Sequence, residues 1–209
     1  MKITLFGTGM IGSRIAKEAL DRGHQVTAVV RTPGKLALKH EHLKEVRGDA
    51  LDADSIARAS AGHDAVISAL GAGIGDQQGL LDSNVALIKG VKQAGVPRLL
   101  VVGGAGSLEV KPGVQLVDLP EFPEAYKPPA LAHRELLGLY RKADLDWTYL
   151  SPAALIAPGE RTGKFRLGGD QLVTDAKGES RISAEDFAVA MIDELEKPRH
   201  IRQRFTLAY

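Results

Sequence analysis

The sequence predicts an α/β protein built on a doubly wound parallel sheet with helices on both faces. Strand-like and amphipathic helix-like segments alternate from the first residues onward, and the links between them are short. Strand-like runs such as Gln25–Val30 are β-branched and nearly continuous in apolar character, as strands covered on both faces must be.

Taken in order, Lys2–Phe6 reads as the first strand. Ile11–Asp21 follows as a helix, because Ile11, Ile15, Ala16, Ala19 and Leu20 fall on one face. Gln25–Val30 is the second strand and Leu43–Val46 the third. Asp52–Ser60 reads as a helix with Asp52 as its N-cap. Ala65–Leu70 is a fourth strand. Leu80–Ala94 is a long amphipathic helix stopped at Gly95, with Pro97 just beyond. Arg98–Val102 is the fifth strand. The segment Gly103–Pro129 then loses any period and is rich in Gly and Pro. It is longer than a structural connection requires, which marks it as a functional loop. Pro129–Ala143 resumes as a helix and Trp147–Leu150 as a sixth strand. Phe165–Val173, with Gly168-Gly169-Asp170 between apolar runs, reads as a hairpin. Ser183-Ala184-Glu185-Asp186 resembles a capping box and opens a helix to about Glu196, which Pro198 ends. Arg204–Tyr209 closes the chain as a strand.

Composition removes several function classes. The 209 residues suffice for one sizeable core, and no repeat, low-complexity tract or linker divides them. A formal net charge of +1 supplies no broad field for nucleic acid or an anionic membrane. Cysteine is absent, which excludes disulfides, thiolate catalysis, Cys-ligated zinc and iron–sulfur clusters. The apolar run Ile3–Phe6 breaks at Gly7 and charges follow at Arg14, Lys17 and Glu18, unlike a signal peptide. No apolar stretch approaches the ~20 residues of a membrane span. Histidines lack metal-ligand spacing apart from His40-x-His42, which reads as a solvated pair. The expectation is a cytoplasmic protein, monomer or homodimer, with no metal, nucleic-acid or membrane partner.

One motif gives the sheet a purpose. Gly7, Gly9 and Gly12, in Gly7-Thr8-Gly9-Met10-Ile11-Gly12, stand as G-x-G-x-x-G between the first strand and the first helix. The first glycine permits the tight turn, the second lets the backbone approach a pyrophosphate, and the third lets helix and strand pack closely. The helix that follows directs unpaired N–H groups at the phosphates. The sheet is therefore expected to be of Rossmann type, binding a nicotinamide dinucleotide.

Other strand ends extend the cofactor site. NAD sites commonly place an acid at the end of the second strand, and NADP sites an Arg for the 2′-phosphate. Here Arg31 lies there with Lys35 nearby, and no acid occurs from Val29 through Lys35. A guanidinium bonds a phosphate with two donors, so NADPH is expected over NADH. Asp49 and Ala50, after the third strand, are placed to flank adenine. Ser68-Ala69-Leu70-Gly71, at the end of the fourth, are placed at ribose and pyrophosphate. The chain thus reads as one domain over 1–209, with a cofactor half to about 107. An acceptor-site loop and a small C-terminal substrate-covering region complete it.

With the glycine turn, Gly48-Asp49, Ser68–Gly71, Val102–Ser107, Leu145–Pro152 and Pro158–Lys164, the chain resembles the atypical short-chain dehydrogenase/reductase group over almost its whole length. That group includes NmrA-like proteins, biliverdin/flavin reductases and bacterial proteins provisionally named NADH-flavin reductases. The resemblance implies that Gly103 and Gly104 adjoin the cofactor and that Ser107 faces the substrate. It also implies that Pro152, Ala153 and Ala154 pass the nicotinamide carboxamide. Two departures stand out. The group's usual turn, G-A-T-G-x-x-G, is one residue longer. The Y-x-x-x-K of typical members is missing: counting back from Leu145-Asp146-Trp147-Thr148, its Tyr position falls on Pro129 and its Lys position on His133.

That loss has chemical content. Reducing a ketone needs an acid positioned at the developing alkoxide. A flavin or quinone delocalises the incoming charge and takes its proton from water, so proximity and orientation carry more of the work. The expected function is transfer of hydride from NADPH to a free flavin or a quinone, each bound as a substrate. Ser107 would bond the acceptor oxygen. His133 would bond the nicotinamide ribose in place of Lys or relay a proton near neutral pH. Phe122 and Tyr126, in the loop Leu108–Lys127, would form an aromatic lid. The alternatives are a non-catalytic NADP(H)-binding redox sensor of NmrA type and, further off, a sugar-nucleotide epimerase or dehydratase.

Overall fold

The computed structural model describes residues 1–34, 36–71 and 76–209. The first half of the chain runs β1 (Lys2–Phe6), α1 (Met10–Asp21), β2 (Gln25–Val30), β3 (Leu43–Arg47), α2 (Ala53–Ser60), β4 (Ala65–Ser68), α3 (Gln77–Ala94) and β5 (Arg98–Val102). The second half adds β6 (Glu109–Lys111), β7 (Val114–Gln115), α4 (Lys127–Arg141), β8 (Asp146–Ser151), β9 (Leu155–Ala157), β10 (Arg166–Gly168), β11 (Arg181–Ser183), α5 (Ala184–Glu196) and β12 (Gln203–Ala208).

Eight strands form one sheet in the order β10-β12-β8-β5-β4-β1-β2-β3. Every pairing is parallel except that of β10, which runs antiparallel to β12. From β1 the chain winds outward through β2 to β3, then returns to β4 and winds the other way through β5 and β8. The order therefore reverses between β1 and β4, and a crevice opens outside their carboxyl ends.

Burial on both faces explains the continuous apolar runs. Along β5, Leu100 and Val102 join Ile3, Leu5, Ile15 and Phe187 in a cluster under α1 and α5. Leu99 and Val101 point the other way, into Phe6, Ile56, Leu87 and Tyr140 under α2, α3 and α4. Period-two side-chain alternation thus feeds two cores at once, and Leu99 through Val102 are all apolar.

Caps set the helix ends. Asp52 accepts from the Asp54 amide at 2.9 Å and starts α2. Asp76 accepts from the Gly79 amide at 3.2 Å, so α3 begins three residues ahead of its first predicted residue, Leu80. Gly95, at φ +67°, closes α3 in the left-handed conformation. Pro128 and Pro129 stand in the first turn of α4, where an amide donor is dispensable. Ser183 caps α5 through the Asp186 amide at 2.9 Å. The reciprocal half of a capping box does not form, because the Asp186 carboxylate accepts from Thr162 Oγ1 (2.6 Å), the Gly163 amide (2.7 Å) and the Tyr209 hydroxyl (2.9 Å).

Phe165–Val173 is not a hairpin. Arg166–Gly168 pairs with β12, which would otherwise present an open edge, while Gln171 bridges Glu109. The long loop after β5 carries its own structure: the β6–β7 hairpin and two 3-10 turns, Leu116–Asp118 and Glu124–Tyr126, around the buried Val117. Among the described residues no helix is long and apolar enough to cross a membrane.

Candidate cofactor and acceptor site

The three turn glycines meet different surroundings. Gly7 has φ +87°, and a Cβ there would lie 2.3 Å from the Ala69 carbonyl oxygen. A Cβ on Gly12 would lie 2.0 Å from the Gly7 carbonyl oxygen, so α1 rests directly on the turn. At Gly9 a Cβ would have no neighbour within 4 Å. Gly9 is the N-cap of α1 and offers no side chain to its amides, and the first turn holds no acid. The backbone bond from Ser13 to the Gly9 carbonyl (2.9 Å) opens the helix, which leaves the amides of Met10, Ile11 and Gly12 without intrahelical acceptors. An open approach, unpaired amides and a positive helix end fit a pyrophosphate.

The ends of the first four strands converge on one cleft of about 420 Å³. Gly7 and Thr8, Val30 and Arg31, Gly48 through Leu51, and Leu70 with Gly71 all line it. Arg31 is exposed at the mouth, and among the described residues it makes no hydrogen bond or ion pair. Thr32 and Leu36 extend a second hollow beside Arg31. Lys35 lies outside the described residues. Asp49 turns its carboxylate back on the Leu51 amide (2.9 Å), shaping the loop that carries Ala50. Ser68 is buried inside β4, and the Ala69 amide bonds the Phe6 carbonyl at 2.7 Å beneath the turn. Leu80 and Ser83, on α3, also line the cleft, and no local pattern in the sequence points to them.

The ends of β5 and β8 form a second group. The Gly103 amide bonds the Leu150 carbonyl at 2.8 Å, and a Cβ on Gly103 would lie 2.1 Å from the Tyr149 ring. A Cβ on Gly104 would lie 2.7 Å from the His133 Cβ, so α4 presses directly on Gly104. The Tyr149 hydroxyl donates to the His133 carbonyl at 2.9 Å, and its oxygen lies 3.1 Å from His133 Nδ1. With the phenolic hydrogen committed, Nδ1 must be the protonated nitrogen and Nε2 the acceptor. Burial lowers the His133 pKa to about 4, so the ring is neutral at neutral pH. A proton relay near neutral pH, expected from sequence, is thereby corrected: the burial that places His133 against Gly104 disfavours its charged form.

Ser107 is buried, and its hydroxyl accepts from Arg204 Nη1 at 2.8 Å. Arg204 in turn holds Asp170. Sequence reasoning had no signal for either partner. Tyr126 is 67% exposed, and its hydroxyl makes no hydrogen bond among the described residues. Phe122 is half-buried, so the two aromatics of the expected lid differ in their surroundings. After β8, Pro152 and Ala153 are buried, and the exposed Ala154 donates its amide to Ser180 Oγ at 3.1 Å.

The segment from Pro158 to Lys164 is strapped onto α1 and α5. Arg161 makes a two-pronged bond to Glu18 (2.7 Å each), and Gly159 donates to Glu185 (2.7 Å), which also pairs with Arg14. The Arg161 hydrogen bond is the largest influence on Glu18, and with Arg22 it holds the carboxyl below its usual range against the opposing effect of burial.

A sequence model of the NAD(P)H-binding family matches residues 7–198. Among solved structures, a Burkholderia pseudomallei protein provisionally described as exported is 54% identical, with all of both chains covered and a TM-score of 0.92. A Bacteroides thetaiotaomicron protein provisionally named an epimerase is 46% identical, covering 100% of this chain and 96% of its own, at TM-score 0.93. A Streptococcus pneumoniae protein provisionally named an NADH-flavin reductase is 38% identical, covering 100% and 99%, at TM-score 0.87.

Proposed function

The chain belongs to the NAD(P)H-binding family, and on that premise we propose that it is an NADPH-dependent reductase of a free flavin or a quinone. The observation that carries this reading is the pair Pro129 and neutral His133, which stand where a Tyr and a Lys would supply acid. A site without that acid suits an acceptor that spreads its new charge over a ring system. The printed name of the Streptococcus pneumoniae relative supports the same acceptor class.

Bound NADPH would supply the hydride and be left as NADP⁺, and the acceptor would gain two electrons and take its proton from water. The chain's own residues hold and orient. The amides at the start of α1 would receive the pyrophosphate past Gly9. Arg31 would meet the 2′-phosphate, which supports NADPH over NADH. Leu70 and Gly71 would border the nucleotide, and His133 Nε2 would accept from a hydroxyl of the nicotinamide ribose. Gly103, Gly104 and Pro152 through Ala154 would back the nicotinamide.

Following the nicotinamide absorbance while purified protein meets NADPH with FMN, riboflavin or menadione tests this reading. Oxidation above background is expected. No turnover with any of them, despite tight NADPH binding, would overturn it in favour of a redox sensor.

A further inference from the structure

Arg204 carries a buried guanidinium, with 4% of its side chain exposed, directly beside Ser107 in the loop that follows β5. Burying that charge is costly unless its donors are met. Nε bonds Asp170 at 2.7 Å, and Nη2 bonds the same carboxylate. Nη1 bonds Ser107 twice, at its carbonyl oxygen (3.1 Å) and at its hydroxyl oxygen (2.8 Å). A guanidinium can only donate, so Ser107 Oγ is the acceptor and its own hydrogen points away from the cation. Among the described residues no acceptor takes that hydrogen, although Ser107 is only 3% exposed. A buried hydroxyl with an unspent donor, backed by a fixed positive charge, is arranged to meet an oxygen brought to it.

We propose that Arg204 is a positioning residue for the hydride acceptor. It holds the Ser107 hydroxyl as an outward donor and polarises it, so that Ser107 bonds the carbonyl oxygen of the flavin or quinone on which negative charge collects. This rests on the reductase reading above and deepens it. Ser107 steadies that oxygen without surrendering its proton, a need that Pro129 and the neutral His133 leave unmet. The planar fork of Arg204 matters as much as its charge, since it reaches Asp170 and both Ser107 oxygens at once. Lysine keeps the charge but loses the fork.

Arg204 also ties the loops after β5 and β10 to β12. A purely structural clamp would alter stability without making the effect depend on the Ser107 hydroxyl. The test is a double-mutant cycle on the full chain loaded with NADP⁺: wild type, Ser107→Ala, Arg204→Met and the double variant. The first readout is riboflavin affinity from fluorescence quenching with NADP⁺ bound, and the second is the single-turnover rate with menadione when NADPH replaces NADP⁺ as the hydride donor. Each single variant is expected to weaken both by roughly tenfold, and the double variant no further than either. NADP⁺ affinity should stay within about twofold in all four, because the turn and cleft are untouched. Arg204→Lys should fall between wild type and Arg204→Met, and it replaces the latter in the cycle if that chain does not fold. An Arg204 effect of equal size in the Ser107→Ala background, or a fall in Tm with riboflavin affinity unchanged, would overturn the proposal and leave the reductase reading intact. A wild type that neither binds riboflavin nor oxidises NADPH with menadione would overturn both.

Discussion

His133 and Tyr149 are joined twice: the Tyr149 hydroxyl donates to the His133 carbonyl at 2.9 Å, and its oxygen receives His133 Nδ1 at 3.1 Å. The pair ties α4 to β8 immediately behind Gly103 and Gly104. It does so with an uncharged ring, because burial holds the imidazole near pKa 4.

That imidazole makes stability depend on pH within a defined window. His133 titrates near 4 when folded and near 6.5 when unfolded. Between those values the unfolded chain holds a proton that the folded chain does not. Stability should therefore fall as pH drops through 6.5 and stop falling on this account near 4. The full loss amounts to at most about 3 kcal/mol. Urea unfolding across the window measures it. His133→Gln should flatten the slope, and an unchanged slope would rule out the imidazole as its source.

Gly9 and Gly12 should respond oppositely to the same substitution. Gly9→Ala places its methyl in open space, so Tm should hold while cofactor affinity falls roughly tenfold or more, because the methyl enters the phosphate's path. Gly12→Ala drives a methyl to 2.0 Å from the Gly7 carbonyl oxygen. It should cost about 3 kcal/mol or more. Thermal melts and a cofactor titration separate the two. A Gly9→Ala chain that binds NADPH as wild type does would contradict the cradle.

Arg31→Ala should weaken NADPH by roughly tenfold to a hundredfold while leaving NADH within about twofold, since only NADPH carries the 2′-phosphate. The preference should also shrink at high salt, because Arg31 is exposed. Equal losses for both cofactors would place Arg31 away from the 2′-phosphate.

Arg161→Ala should loosen the strap over α1. Glu18 keeps Arg22 as a partner at 2.7 Å, and Arg161 is half exposed, so the loss near neutral pH should be only about 1 kcal/mol. The lowered Glu18 pKa contributes stability above the ordinary carboxylate range, and that contribution disappears as pH falls through the lowered value. The gap between wild type and variant should therefore close in acid. Limited proteolysis near Lys164 should become faster, and unchanged cleavage would show that the strap is held by its Asp186 contacts instead.

Legibility followed the range of the interactions. β2 and β5 have the predicted bounds, because each is a short, largely apolar run bounded by polar or turn-forming residues. The Asp52 and Ser183 caps were readable because a cap acts within three residues of itself. The expected hairpin around Gly168 failed because the partner of β10 is β12, nearly forty residues later in the chain. Asp186 left its capping box for Thr162, Gly163 and Tyr209, none of which any local pattern connects to it.

By itself the sequence determined the doubly wound sheet and the glycine turn, since side-chain period, caps and glycine sterics are set by neighbours along the chain. Tertiary structure alone decided that Ser107 meets Arg204 across ninety-seven residues, that Glu18 meets Arg161 across 143, and that His133 is neutral. Those outcomes depend on burial and on which distant charges the fold brings within hydrogen-bonding distance, and no local period records either.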